Sequence, residues 1–513
     1  MDTQKSMYAY LRDAIKDYDG EKIHYFGNSI NAAETLRYID SVATYLTGIG
    51  VKKGDVVGIC LPNIPQGIFA FYAVNKIGAV ANVMHPKIGA ERLKDIVVKT
   101  HTKVLFVFDR FLKKNLAYID KVKVIYCRAS QFLPTSKKIL SRCFEPIISS
   151  DFTCLSDILH LPATPEYADD GSSDAVYLHS AGTTGEPKTV VLSSYAFNSQ
   201  VENVMKGVDS LTDADPEMGM LMVLPLFHGF GLGICVHLGL SRIRVIPVPV
   251  FRPRTVIKIM KSTYINVLAG VPGFFRRLNN CKRFGGDYLE DIELIFCGGD
   301  KLDPAVKEKF ELTLKKYGCD VPIMEGYGMS EAAGVVAINV NNVPDSLGKP
   351  VGDVKIKIDD EKEGEILVST PSLASRYLDG EMTKVKIDGT EYLRTGDIGY
   401  IDDGNLFFCD RQKRMVKIGG VNVYPMLIEE VAKTFPNVTD ACAVRIKKDG
   451  KPAIKLLIVT NGRVEQAYLT EYIGRKISAY AKPKVVEEVA FIKKNSIGKA
   501  DYLGYEEEKQ KAY

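Results

Sequence analysis

The run 179–188, His-Ser-Ala-Gly-Thr-Thr-Gly-Glu-Pro-Lys, sets small residues, hydroxyls and a terminal cation directly behind an apolar strand-like segment at 174–178. Gly182 and Gly185 let backbone N–H groups close on an oxyanion, Ser180, Thr183 and Thr184 add hydroxyl donors, and Lys188 brings a full positive charge. This is chemistry for holding phosphate. The spacing is not that of a Walker A loop, which ends Gly-Lys-Ser/Thr; here Glu-Pro separates Gly185 from Lys188, and another apolar run follows at 190–192.

The loop resembles the phosphate-binding signature of the adenylate-forming superfamily, which comprises acyl- and aryl-CoA synthetases, peptide-synthetase adenylation domains and luciferases. Further motifs extend the resemblance through most of the chain. Segment 325–331, Glu-Gly-Tyr-Gly-Met-Ser-Glu, is similar to the family segment whose tyrosine stacks on adenine, whose hydroxyl contacts the α-phosphate and whose glutamate ligates magnesium; these are Tyr327, Ser330 and Glu331, with Gly328 between them. The residue types suit the task, because Mg²⁺ takes hard oxygen ligands that it shares with substrate phosphates, and a flat aromatic offers a purine an apolar face. The resemblance assigns the metal to Glu331 and Thr183. Segment 224–231 resembles the part of the family that puts an aromatic or histidine residue, here His228, at the carboxylate end of the acyl pocket. Gly299 and Asp300, in Cys-Gly-Gly-Asp, resemble the adenine-side loop.

Toward the C-terminus, Asp397 in Leu-Arg-Thr-Gly-Asp matches the family aspartate that accepts hydrogen bonds from both ribose hydroxyls, and Arg411 the arginine that approaches the same sugar. Lys413 falls at the family hinge, and Gly420 in the loop that helps form the pantetheine tunnel. Lys499, in Asn-Ser-Ile-Gly-Lys, resembles the mobile catalytic lysine that bridges substrate carboxylate and nucleotide, where a compact cation offsets repulsion between anions. Several positions depart from the pattern: Ala181 and Thr189 around the phosphate loop, Asp410 in place of a glycine before Arg411, Leu427 in place of a glutamate, and Lys493 in place of a proline. None removes a charge that the ligands need.

The elements that must carry these motifs are legible in the hydrophobic periodicity. Helical spacing at 31–50, 66–78 and 90–100 alternates with strand-like runs at 55–61, 79–84 and 103–108, and the same texture resumes at 265–271, 294–297 and 321–324. Such alternation predicts parallel sheets covered by helices, with ligands beyond the strand ends. Around 402–405, Asp-Asp-Gly-Asn, the pattern changes to short strands at 406–409, 441–446 and 454–459 separated by helices at 426–434 and 466–478. The expected fold is therefore a large α/β domain, 1–410, whose resemblance implies parallel-sheet α/β subdomains plus a small β-barrel-like part, and a mobile small α+β domain, 411–513.

Length and composition agree: 513 residues, 46% hydrophobic and 25% charged, exceed the usual size of one domain. The stretch 218–240 has no Asp, Glu or Lys and is apolar enough to raise a membrane span, but Pro225, five glycines and two histidines argue for a buried strand-loop-helix segment instead. The polar start of the chain lacks the build of a signal peptide, and ten scattered cysteines without a C-x-x-C pair predict reduced, mostly buried thiols and cytoplasmic residence. Residues 411–513 hold 20 Lys/Arg against 12 Asp/Glu, which suits polyanionic ligands; no motif points to nucleic acid.

The resemblance implies an acyl-CoA synthetase: a carboxylic acid attacks MgATP, pyrophosphate leaves, and coenzyme A displaces AMP. Amino-acid-activating relatives carry an aspartate where this chain has His228, so an amino acid is not expected, and the apolar surroundings favour a medium- or long-chain fatty acid, with an aryl acid next. An acyl-AMP ligase that loads an acyl carrier protein, and a non-catalytic nucleotide-binding relative, are the alternatives.

Overall fold

The computed structural model describes the chain except 113–121, 143–144, 147, 149–151, 164–167, 180–187, 212–213, 361, 419–420, 449–450, 495–499 and 508–513, and it describes the backbone alone at 140, 142, 503 and 507. Two compact units emerge, one of Met1–Ser180, Lys188–Lys355 and Ser369–Met382, the other built mainly from Ile356–Val368 and Thr383–Tyr513.

The first unit holds two large mixed sheets. In the nine-stranded sheet the order is Lys349–Pro350, Gly334–Ile338, Ile323–Met329, Leu294–Gly298, Val267–Gly270, Gly219–Met222, Arg244–Pro247, Glu21–Tyr25 and Asn28–Asn31, and the five strands from Ile323–Met329 to Arg244–Pro247 run parallel. The eight-stranded sheet centres on Val56–Cys60, with Val80–Val83 and Thr102–Phe108 parallel to it on either side and the hairpin Asp174–His179/Thr189–Ser193 toward one edge. The central strands, such as Val56–Cys60, Gly219–Met222 and Leu294–Gly298, are apolar, as strands buried on both faces must be. Helix Ala32–Gly48 starts on a capping box, with the Asn31 side chain on the Glu34 N–H and the Glu34 carboxylate on the Asn31 N–H. Helix Pro65–Lys76 is buried along its whole length. Asn63 ties the two sheets together, its amide donating to the Met222 and Leu224 carbonyls at 3.0 Å each while it accepts from the Leu226 N–H.

The stretch 218–240 forms strand Gly219–Met222 and a wide helix, Gly231–Leu238, that continues as Gly239–Arg242; every residue of that wide helix is buried in protein. Among the described residues no helix is long and apolar enough to cross a membrane. Nine described cysteines are unpaired, eight of them buried.

The second unit contains a five-stranded antiparallel sheet in which Thr390–Asp402 pairs with Gly364–Ser369, Lys384–Ile387 and Asn405–Arg411. The turn that the sequence marks at 402–405 is a two-residue hairpin loop, with Asp403 at φ 45° and Gly404 at φ 73°. Beyond it, strands Val438–Lys448, Lys451–Thr460 and Val485–Glu488 pack on helices Pro425–Lys433 and Gln466–Lys476 around Ile428, Ile454, Leu456, Leu469 and Ile473.

Candidate functional site

In the first unit, the C-terminal ends of parallel strands Leu294–Gly298 and Ile323–Met329 open into a cavity whose empty space, part of it open solvent, is about 490 Å³. Gly298 and Gly326 are register partners in its floor, and neither carries a side chain. A Cβ on Gly298 would lie 3.2 Å from the Phe230 ring, and one on Gly326 3.2 Å from the Ala337 carbonyl oxygen. Gly328 admits no larger residue: a Cβ there would sit 2.0 Å from the Gly334 carbonyl oxygen, where the hairpin with Gly334–Ile338 bulges. Gly299 turns the chain out of its strand at φ 84°.

Of the residues singled out from sequence, His228, Gly299, Tyr327, Gly328 and Ser330 all line this cavity. Phe296, Cys297, Met324, Met329, Val335 and Ile338 complete an apolar wall without any Asp, Glu, Lys or Arg. Burial pushes the Cys297 thiol well above its usual range, so it is an inert wall residue rather than a nucleophile. His228 is exposed, and its Nδ1 accepts from the Phe230 N–H at 3.3 Å. Asp300, just past Gly299, is exposed and accepts the Lys301 N–H at 3.0 Å.

The strand ends in a short helical turn, Ser330–Ala332, which is closed by Ala333 in the left-handed region. The turn presents Glu331, whose carbonyl accepts the Ala374 N–H at 2.7 Å and whose carboxylate accepts the Tyr377 hydroxyl at 3.0 Å. The Lys188 ammonium lies 4.2 Å from the centre of the same Tyr377 ring. Tyr377 thus links the cation that ends the phosphate-loop motif to the carboxylate of the 325–331 motif, and sequence reasoning missed it. The signal was faint: Arg376–Tyr377 is a two-residue strand on the sheet edge, with Tyr377 opposite Val190, nearly two hundred positions away. Burial, with the Glu331 carboxylate next, holds the Tyr377 phenol well above its ordinary value, so it stays a hydrogen-bond donor.

In the second unit Asp397 and Arg411 are cross-strand register partners, joined by an ion pair of 2.7 Å from the guanidinium Nε. The aspartate is buried and the arginine exposed, so one end of the pair reaches water. Asp410 has a structural role: its carboxylate accepts the Arg411 N–H at 2.7 Å and the Met426 N–H at 2.8 Å, where it caps helix Pro425–Lys433. Arg414 pairs with Glu429 at 2.6 Å and with Asp410 at 3.4 Å, and stacks 3.8 Å from the centre of the Tyr502 ring. Lys413 stands exposed in the turn between them. Ser180, Gly182, Thr183, Thr184, Gly185, Gly420 and Lys499 lie outside the described residues.

A family model described as AMP-binding enzyme matches residues 11–378. A 4-coumarate–CoA ligase of Humulus lupulus is 27% identical, covering 92% of this chain and 88% of its own. A long-chain-fatty-acid–CoA ligase of Bacillus subtilis is 25% identical over 96% and 93%. Among solved structures, ATP-bound MatB from Rhodopseudomonas palustris superposes with a TM-score of 0.84 at 21% identity over the full length of both chains. The o-succinylbenzoate CoA synthetase of Bacillus subtilis, in complex with its acyl-adenylate intermediate, gives 0.78 at 20% identity over 97% of each.

Proposed function

The chain belongs to the AMP-binding enzyme family, and we propose that it is an AMP-forming acid–thiol ligase that activates an apolar carboxylic acid with ATP and transfers the acyl group to coenzyme A. The observation that carries this reading is the uncharged cavity lined by His228, Tyr327 and Ser330, followed in the chain by Glu331 with its Tyr377–Lys188 partners.

In the first step a carboxylate oxygen bonds to the α-phosphorus as the bond to pyrophosphate breaks; in the second the CoA sulfur bonds to the acyl carbon as the bond to AMP breaks. No protein nucleophile is needed, so the residues act by position and charge. Tyr327 offers a face to adenine, Ser330 donates to the α-phosphate, and His228 stands at the carboxylate. Gly299, Asp300 and Gly328 border the base. Lys188 neutralises phosphate charge together with the donors of Ser180, Gly182, Thr183, Thr184 and Gly185. Asp397 takes the ribose hydroxyls, with Arg411 beside it. Lys499 bridges carboxylate and nucleotide in adenylation, Gly420 serves the thiol step, and the domain boundary falls at Arg411 with Lys413 as pivot. Orientation of this kind is worth about 7 kcal/mol or more of barrier.

Magnesium fits the donor set. Glu331, with Thr183, would hold an ion that keeps most of its remaining ligands as water and substrate phosphate, and among the described residues no cluster of three or more His, Cys, Asp or Glu is assembled as a metal cage. Bound there, it would neutralise charge developing on the phosphates.

The wall favours a hydrocarbon tail, each buried methylene adding about 0.8 kcal/mol to selection, and a medium- or long-chain fatty acid is the first substrate. A specific feature supports a second reading: the side-chain-free floor at Gly298 and Gly326 suits a flat aryl acid. The deciding experiment incubates the protein with ATP, Mg²⁺ and a panel of fatty and aryl acids, with either CoA or an acyl carrier protein as acceptor. CoA-dependent thioester with matched AMP release is expected. Pyrophosphate release with thioester only on the carrier would replace CoA as the acceptor, and no ATP consumption with any acid would end the ligase reading.

A further inference from the structure

From 218 to 286 the chain contains no aspartate or glutamate but ten lysines and arginines. Arg242 and Arg244 are paired inside the fold with Glu202 and Glu21. The other eight fall within 252–283, are all exposed, and none makes an ion pair with a carboxylate among the described residues. A segment of 32 residues thus carries a charge of +8 in a chain whose total is +4.

The fold carries four of these charges, Arg254, Lys258, Arg276 and Arg277, on two helices that share one core, and the other four beside those helices in the chain. Helices Pro253–Met260 and Pro272–Asn279 both follow strands of the nine-stranded sheet, and their apolar sides, Val256, Ile257 and Met260 on one and Phe274, Phe275 and Leu278 on the other, share a single core. The rings of Phe251 and Phe274 touch at 5.0 Å between centroids, and the Arg277 guanidinium lies 4.7 Å over Phe251. Two neighbouring amphipathic helices therefore bury one side and turn the other, whose charged residues are all cationic, to solvent. At the edge where the strands end, Val250 and Val271 are 52% and 42% exposed. That edge meets the cavity rim: a Cβ on Gly299, a cavity residue, would lie 3.6 Å from a Val271 methyl.

We propose that this face docks the protein on an anionic lipid surface. Unneutralised lysines and arginines supply the attraction to acidic headgroups, and the exposed valines at the strand-end edge supply apolar contact at the interface. A nucleic acid would use the charge but not the valines. The docking rests on charge and exposure alone, not on the proposed reaction; its consequence for that reaction is that an apolar acid can pass from the bilayer to the cavity rim.

The test is co-sedimentation of the full chain with vesicles of phosphatidylcholine alone or with added phosphatidylserine. Binding is expected only with phosphatidylserine and is expected to fade as salt shortens the screening length from about 10 Å at 0.1 M to about 3 Å at 1 M. Each lost cation is worth about fivefold in affinity, so Arg276→Ala/Arg277→Ala falls more than tenfold. Lys447→Ala/Lys448→Ala, in the basic second unit, binds as the parent does. Lys282→Ala/Arg283→Ala repeats the measurement should the arginine pair fail to fold, as judged by thermal unfolding. Equal binding to neutral vesicles, no binding to acidic ones, undiminished binding by the folded arginine or 282/283 variant, or stronger capture by a DNA duplex than by acidic vesicles would each overturn the proposal. Because vesicle binding requires no ATP or acid, the result stands apart from the outcome of the ligase assay.

Discussion

The polar groups beside the cavity of the first unit and those around helix Pro425–Lys433 of the second are organised on opposite principles. Around the cavity, Ser330, Glu331 and Lys188 sit at least partly exposed on a turn and a strand end. Around helix Pro425–Lys433, the buried carboxylates of Asp410 and Glu429 are satisfied by Arg414 and by backbone donors within their own unit. Charge left accessible is available to a ligand; charge enclosed and matched serves the fold, because removing one member of such a set strands the other in a low-dielectric interior. The distinction explains Asp410, which departs from the family pattern: it anchors the start of a helix.

Exchanging the two behaviours is the sharpest way to break this contrast. Lys188→Ala is expected to lower adenylation about 10²- to 10³-fold, the scale for losing one charge-stabilising donor, with little change in unfolding; pyrophosphate release and chemical denaturation measured on the same preparation check both halves. A comparable loss of stability would place Lys188 with the structural charges. Arg414→Ala should do the reverse, costing about 3 kcal/mol in chemical denaturation, while adenylation per folded molecule stays near that of the parent.

Tyr377→Phe is a subtler probe. It keeps the ring under Lys188 and deletes only the hydroxyl donated to Glu331, for which about 1 kcal/mol, or roughly fivefold, is expected. We expect the loss to appear as a higher KM for MgATP that rising Mg²⁺ partly restores; a change in kcat insensitive to Mg²⁺ would detach the tyrosine from the proposed magnesium role of Glu331.

The remaining test concerns pH. Burial drives Glu429 up to about 7, against the downward pull of Arg414. Between its ordinary value near 4.5 and about 7, the folded protein retains a proton that the unfolded chain has released. The stabilisation is therefore complete at low pH and drains away as pH rises through that window. Denaturation midpoints between pH 4.5 and 8 should show this decline in the parent and a flatter profile in Glu429→Gln; an unchanged slope would show that Glu429 is ionised throughout.

Most of the scaffold could be read from local pattern. Periodicity found helix Pro65–Lys76 and strand Thr102–Phe108 to within a few residues, and the cluster at 402–405 marked a turn, because these elements are determined by neighbours along the chain. What escaped is what depends on distant partners. Glu21–Tyr25 joins the nine-stranded sheet beside Arg244–Pro247, and the short strand carrying Tyr377 has no periodicity to announce it. Of the site, Tyr327, Ser330 and His228 were legible as motifs and share one cavity, whereas the Tyr377 link needed the fold.

The hairpin Asp174–His179/Thr189–Ser193 carries a largely buried histidine at its end. The hairpin strands that flank 180–187 end at His179 and Thr189, which are register partners. The His179 imidazole is held between the Thr189 hydroxyl at 3.1 Å and the Asn82 amide oxygen at 2.6 Å. Burial, aided by the charges of Arg92 and Lys99, lowers its pKa to about 4. The clasp at the root of this hairpin is thus uncharged near neutral pH, and only acidification toward about 4 gives it a proton.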